Sequence, residues 1–107
     1  MAKYLFQGSY TVEGLRGLLR EGGTQQGAAI AQCIQALGGT LETFYFAYGS
    51  DDFFLILDMP EQVAATAVTL ALNAVGAVQG QLVVLIAPQE IDVAVQRASA
   101  VVSWEGA

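Results

Sequence analysis

Histidine is absent from this chain, and cysteine occurs once, at Cys33. Without an imidazole, Ser-His-Asp and Cys-His catalysis, His-ligated zinc and ordinary His-ligated haem each lack a required group. A lone cysteine forms no intrachain disulfide. Cys33 falls on an apolar helical pattern with no base to activate it, so it reads as a buried thiol rather than a nucleophile. Cations are equally sparse: Lys3, Arg16, Arg20 and Arg97 form no cluster, and the formal net charge is -6. Nucleic acid and anionic membrane surfaces are recognised through clustered Lys and Arg, so neither is expected as a partner. Long hydrophobic runs are missing too. The greasiest stretch, residues 63–78, falls short of the roughly 20 residues that span a bilayer and is broken by Thr66, Thr69, Asn73 and Gly76. The N-terminus turns polar too early for a signal-peptide core, and a cytoplasmic location is expected.

What is present is apolar. The 107 residues are 54% hydrophobic and only 13% charged, whereas roughly a quarter of an ordinary soluble domain is charged. A chain of this length fits one domain that buries roughly two thirds of its unfolded surface. So few charges leave little polar surface to cover a monomer. Part of the apolar surface is therefore expected to be buried against another copy, in a homodimer or higher homo-oligomer, the alternative being a monomer with an unusually apolar surface.

Residues 3–10 alternate as a strand, with Tyr4, Phe6, Gly8 and Tyr10 on one face and Leu5, Gln7 and Ser9 on the other. Thr11 caps a short helix carrying Leu15, Leu18 and Leu19, which Gly22-Gly23 ends. Thr24 offers a second cap, for a helix whose Ile30, Cys33, Ile34 and Leu37 share one face before Gly38-Gly39 stops it. Residues 40–48 are aromatic and β-branched, a second strand with Leu41, Thr43, Tyr45 and Ala47 opposed to Glu42, Phe44, Phe46 and Tyr48. A turn at residues 49–51 leads to a third strand, residues 52–58, apolar on both faces. Pro60 suits a helix start, with Asp58 and Glu61 at its positive end and Val63, Ala67, Leu70, Ala71 and Val75 as its buried stripe. Residues 81–87 form a fourth strand. Pro88 opens a short helix with Ile91, Ala94 and Val95 on one side. Residues 1–98 are thus expected as a single ferredoxin-like domain and residues 99–107 as a tail, through Trp104, in which Val101 and Val102 extend an edge strand or dock on a neighbour.

The order βαββαβ, with two right-handed crossovers around a central hairpin, predicts an α+β fold: an antiparallel sheet with both long helices on one face. The other face is left bare on strands that are apolar on both sides. Its simplest partner is the same face of a second chain, which makes a dimeric α/β barrel.

The segments Tyr4-Leu-Phe-Gln-Gly-Ser-Tyr-Thr11, Gly14-Leu-Arg-Gly-Leu-Leu19 before Gly22-Gly23, Leu37-Gly-Gly39 and Tyr45-Phe-Ala-Tyr-Gly49 resemble the GYD domain proteins. The resemblance runs to about Ala94 and rests on many positions together. Gly49 and Asp52 fit the family's Gly-x-Tyr-Asp-type motif, while Asp51 stands where the motif has a tyrosine. The resemblance implies a small bacterial protein of the dimeric α/β barrel type and brings no assigned chemistry with it.

Three constellations are candidates for a site. Asp51, Asp52 and Asp58 are neighbouring carboxylates, but the alternating oxygen ligands of a calcium loop are missing and turn and helix-start chemistry explains them, so no metal is expected. The Gly-rich segment of residues 14–23, with Arg16 and Arg20, lacks the Gly-Lys-Ser/Thr ending of a P-loop and the dinucleotide spacing, so no cofactor is expected. Tyrosines on the first two strands, an aromatic stripe that at strand spacing is more often core or dimer interface, could instead line a barrel, hold a small apolar or aromatic ligand and offer hydroxyls for hydrogen bonds or proton transfer. Tyr10, Tyr45, Tyr48, Asp52, Lys3 and Arg16 are the polar groups such a site would use, in ligand binding or in a cofactor-independent reaction. Two alternatives stand beside this one: a regulatory ligand-binding module of the ACT type, which pairs sheets edge to edge, and a structural assembly protein without a pocket.

Overall fold

In a computed structural model, which describes residues 1–106 and side chains as far as residue 102, the alternation of the N-terminus becomes strand β1, Ala2–Tyr10. Thr11 Oγ1 accepts the Gly14 N–H at 3.1 Å and caps helix α1, Val12–Glu21, as its position predicts. Gly22, at φ 83°, breaks the helical path. Helix α2, Gly23–Ala36, restarts at once, because the Gly22 carbonyl accepts from Gln26 N–H. Thr24 is therefore inside α2 and does not cap it. There follow β2 (Thr40–Phe46), β3 (Phe53–Met59), α3 (Gln62–Ala74), β4 (Val78–Val84) and α4 (Pro88–Gly106).

The strands form one open antiparallel sheet in the order β2-β3-β1-β4. With four helices among the described residues, this is the expected α+β fold with βαββαβ order and ferredoxin-like strand order. Tyr4 and Phe6 of β1 and Phe53, Leu55, Leu57 and Met59 of β3 face Ile34 of α2 and Ala65 and Val68 of α3, none more than 4% exposed. Burying each large side chain contributes about 1.5–3 kcal/mol. The opposite face, with Leu5, Gln7, Ser9, Phe54 and Ile56, is half-buried and carries no helix. Among the described residues, no helix is long and apolar enough to cross a membrane.

The structure corrects several local expectations. A register shift between Leu41 and Thr43 places Leu41 and Phe44 together against the core and turns Tyr45 to the open face. The bulge absorbs Glu42, whose carboxylate pairs with Lys3. In α3 the buried residues are Ala65 and Val68, while Val63, Leu70 and Val75 are exposed. The helix is apolar nearly all round, and the small side chains let it lie close to the sheet. Strand β4 begins at Val78, because Gly80 faces Gly8 across the β1–β4 pair and Asn73 bonds both backbone groups of Gly80. Asp58 pairs with Lys3 at 3.0 Å across the sheet, and Glu61 holds the start of α3. Cys33 is half-buried. Residues 99–106 continue α4 as helix, so Val101 and Val102 belong to no strand. The side chain of Trp104 lies outside the described residues.

Candidate functional site

The β2–β3 hairpin is tied to the end of β1 by Asp52. Its carbonyl accepts from Ala47 N–H at 2.8 Å, its N–H donates to the Gly8 carbonyl at 2.8 Å, and its Oδ2 accepts from Tyr10 N–H at 2.9 Å. These bonds satisfy backbone groups that the sheet leaves unpaired where the strands end. They also set a carboxylate beside a half-buried tyrosine.

The Tyr10 ring stacks on Phe46 at 6.3 Å and meets Phe53 edge-on at 5.4 Å between centroids. Its hydroxyl donates to Gln26 Oε1 at 3.4 Å, and Gln26 Nε2 donates in turn to Glu21 Oε1 at 2.8 Å. Burial, and then the Asp52 charge, pushes the Tyr10 phenol above its ordinary pKa of 10.0. Tyr10 is therefore a protonated hydrogen-bond donor at neutral pH.

Helix α1 forms the facing wall. Thr11 N–H donates to the Ala77 carbonyl at 3.0 Å and Thr11 Oγ1 donates to the Gly76 carbonyl at 2.7 Å, which pins the helix start to the α3–β4 turn. The approach is close enough that a Cβ on Gly14 would sit 1.9 Å from the Ala77 oxygen. Leu15 and Leu18 then stand opposite the hairpin. Between them and Tyr10, Phe46, Ala47, Tyr48 and Asp52 is a cavity of about 400 Å³. Its lining holds one carboxylate and no cation.

Of the residues predicted from sequence, Tyr10, Tyr48 and Asp52 meet at this cavity. Tyr45 stands on the open sheet face, 69% exposed. Lys3 lies seven residues back along β1, about 23 Å away at the usual strand rise, where it binds Glu42 and Asp58. Arg16 is exposed on α1 and forms no ion pair among the described residues. Tyr4 and Phe6, from the same aromatic stripe as Tyr10, are core. Gly8 leaves no room for a ligand, since a Cβ there would meet the Gln79 carbonyl. Sequence reading did not place Leu15, Leu18 and Phe46 in the site. The i, i+3 spacing of the two leucines was the available signal.

Asp51 turns away into a shallow groove with Gln7, Gln79 and Gln81, so the adjacent aspartates do not act as a pair. Among the described residues, no group of three or more His, Cys, Asp or Glu is arranged to hold a metal ion. A larger recess of about 620 Å³ lies at the other end of the sheet, against Met1, Lys3, Val84, Ile86 and Glu90. Its lysine is already neutralised by two carboxylates, and aromatic walls and hydrogen-bonding groups converge only at the Tyr10 end.

No curated protein matches the chain. The family model for the GYD domain matches residues 4–95, from β1 into the first half of α4, and the chain belongs to the GYD domain family.

Proposed function

We propose that this GYD domain protein binds a small neutral apolar or aromatic molecule in the Tyr10 cavity, and does so as a homodimer whose open sheet faces pack into an α/β barrel. One observation carries it: a cavity of about 400 Å³ with aromatic and leucine walls and a tyrosine and a carboxylate at its rim, within the range of about 300–1,000 Å³ usual for small-ligand sites. Tyr10 supplies a ring face, Leu15 and Leu18 supply an apolar wall, and Tyr48, fully exposed, stands at the mouth. Asp52 disfavours anions, because no cation lines the cavity to offset its charge. A cofactor-independent proton transfer would use the same pair, with Tyr10 held protonated and Asp52 as acceptor.

Leu5 pairs with Ile56 and with Val83 across the uncovered sheet face, and Phe54 lies beside them on the same face of β3, which supports association through that face. The bulge in edge strand β2 weighs against a continuous sheet formed along that edge, as an ACT-type module would have. The cavity weighs against an assembly protein without a pocket.

The test is an NMR titration of the full chain with neutral phenols and with benzoate-type carboxylates. Neutral compounds should perturb the Tyr10 and Tyr48 ring resonances, and carboxylates should bind much more weakly. Asp52→Asn should narrow that difference, and Leu18→Trp, which fills the cavity, should abolish binding while circular dichroism stays helical. Equal binding by Leu18→Trp, or no binding by any neutral compound, would overturn the assignment.

A further inference from the structure

We infer that α4 is an assembly arm, whose apolar stripe packs on a second copy of this chain. The inference rests on the dimeric half of the proposal above and adds a surface to it.

Residues 88–102 are exposed throughout, and α4 has no substantial packing against any other element. The molecule is correspondingly elongated, with extents of 63 × 30 × 21 Å. Ile91, Ala94, Val95, Ala98 and Val102 recur at i, i+3, i+4, i+7 and i+11, one stripe along the helix, while Asp92, Gln96 and Ser99 lie to one side of it. Ile91, Val95 and Val102 are 44%, 55% and 67% exposed. A helix rich in β-branched valine has weak intrinsic propensity. Helical stability in proteins comes mostly from packing, and among the described residues no element of its own chain packs substantially on α4.

A second copy fits the surface arithmetic. The open sheet face, four strands about 4.8 Å apart and seven residues long at about 3.3 Å each, offers roughly 450 Å² of plane. A stable interface takes about 800 Å² of accessible surface from each partner, and a side-chain surface exposes more accessible area than the plane it covers. Helix α4, about 28 Å long and about 10 Å wide, adds roughly 280 Å². The two together make a footprint on the scale of a stable dimer interface. They are also bridged by apolar surface, since Met1, Val84 and Ile86 line the recess at the root of α4 and are more than half exposed. In a two-fold pair each chain presents both surfaces, so the stripe is covered twice without a second kind of partner. The family match ends at residue 95, so the distal half of the arm lies outside it.

The test is sedimentation of the full chain as wild type, Val95→Asp, Val95→Ile and Ile56→Lys, with hydrogen exchange of the α4 amides. The wild type should be a dimer. Val95→Asp should raise its dissociation constant at least about tenfold, and Val95→Ile should leave it unchanged. Protection of the amides of residues 91–98 should fall on dilution in step with dissociation. Since α4 does not pack on the body, neither Val95 variant should disturb the fold. A dimer that Ile56→Lys dissociates and Val95→Asp leaves intact would overturn the arm and spare the sheet-face dimer. Dissociation by Val95→Asp alone would keep the arm and remove the sheet-face pairing. A wild type that is monomeric at every concentration would overturn both, and α4 amides that stay protected in a monomer would show the helix packed on its own chain and overturn the arm.

Discussion

Phe53 and Phe54 are consecutive residues of β3, yet Phe53 is 2% exposed and Phe54 is only half-buried. The same contrast runs along the strand, between Leu55 and Leu57 on one face and Ile56 on the other. Residue type does not separate the two faces. What separates them is that α2 and α3 set Ile34, Ala65 and Val68 against one face, and among the described residues no helix lies on the other. The closed face holds the protomer together, and the open face is the one the proposed dimer would use.

The strongest challenge to that contrast is a matched pair of truncations. Leu55→Ala should destabilise the protein by about 2–5 kcal/mol, independently of protein concentration, because it opens a cavity in a core that cannot fully collapse. Ile56→Ala should cost less, and its cost should grow with protein concentration, since it acts on association. Chemical denaturation across a concentration series reads both, and equal, concentration-independent losses would erase the distinction between the faces. Next in size is Gly14→Ala. Its new methyl would collide with the Ala77 carbonyl, and about 1–3 kcal/mol of overpacking is expected, together with loss of the α1 wall and of ligand binding. Asp52→Ala leaves Tyr10 N–H without its carboxylate and should cost about 1–2 kcal/mol, loosening the hairpin while leaving the core.

The closed face was legible in the sequence because alternation in β1 and β3 is unbroken. The side of β2 was not. A bulge at Glu42 shifts the register by one residue, and alternation carries no mark of it. Helix α3 offered two apolar stripes, and only contact with the sheet chose Ala65 and Val68 over Val63 and Leu70. Val101 and Val102 read as strand formers, although the helix runs on through them. In the site, Tyr10 and Asp52 could be named from strand and turn positions. Leu15 and Leu18 join them only because Thr11 and Gly14 fasten α1 to the α3–β4 turn, a contact between segments more than sixty residues apart. Tyr45 and Lys3 were grouped with them by residue type, and strand parity and length hold them elsewhere.

The smallest expected effect lies in the pH dependence, and it distinguishes the two ends of β1. At the Tyr10 end, burial and then the Asp52 charge raise the phenol pKa above 10.0, so the fold favours the neutral form. That contribution is fully present below the unfolded pKa and is lost as pH rises through the folded one. At the Lys3 end, the hydrogen bonds that the ammonium donates to Glu42 and then to Asp58 raise it above 10.5, with the same sign: the stabilisation is present below that value and is lost as pH rises through the folded one. Both ends therefore weaken in alkali, but through different charges. Asp52→Asn should lower the Tyr10 titration, followed by its ring carbon shifts, and leave Lys3 where it is. Glu42→Gln should lower the Lys3 titration and leave Tyr10 untouched, because about 23 Å of strand separates them, more than two screening lengths in ordinary salt. A Tyr10 titration that moves with Glu42→Gln would mean that the two ends are coupled through the sheet, and that the cavity end is not the independent site its geometry describes.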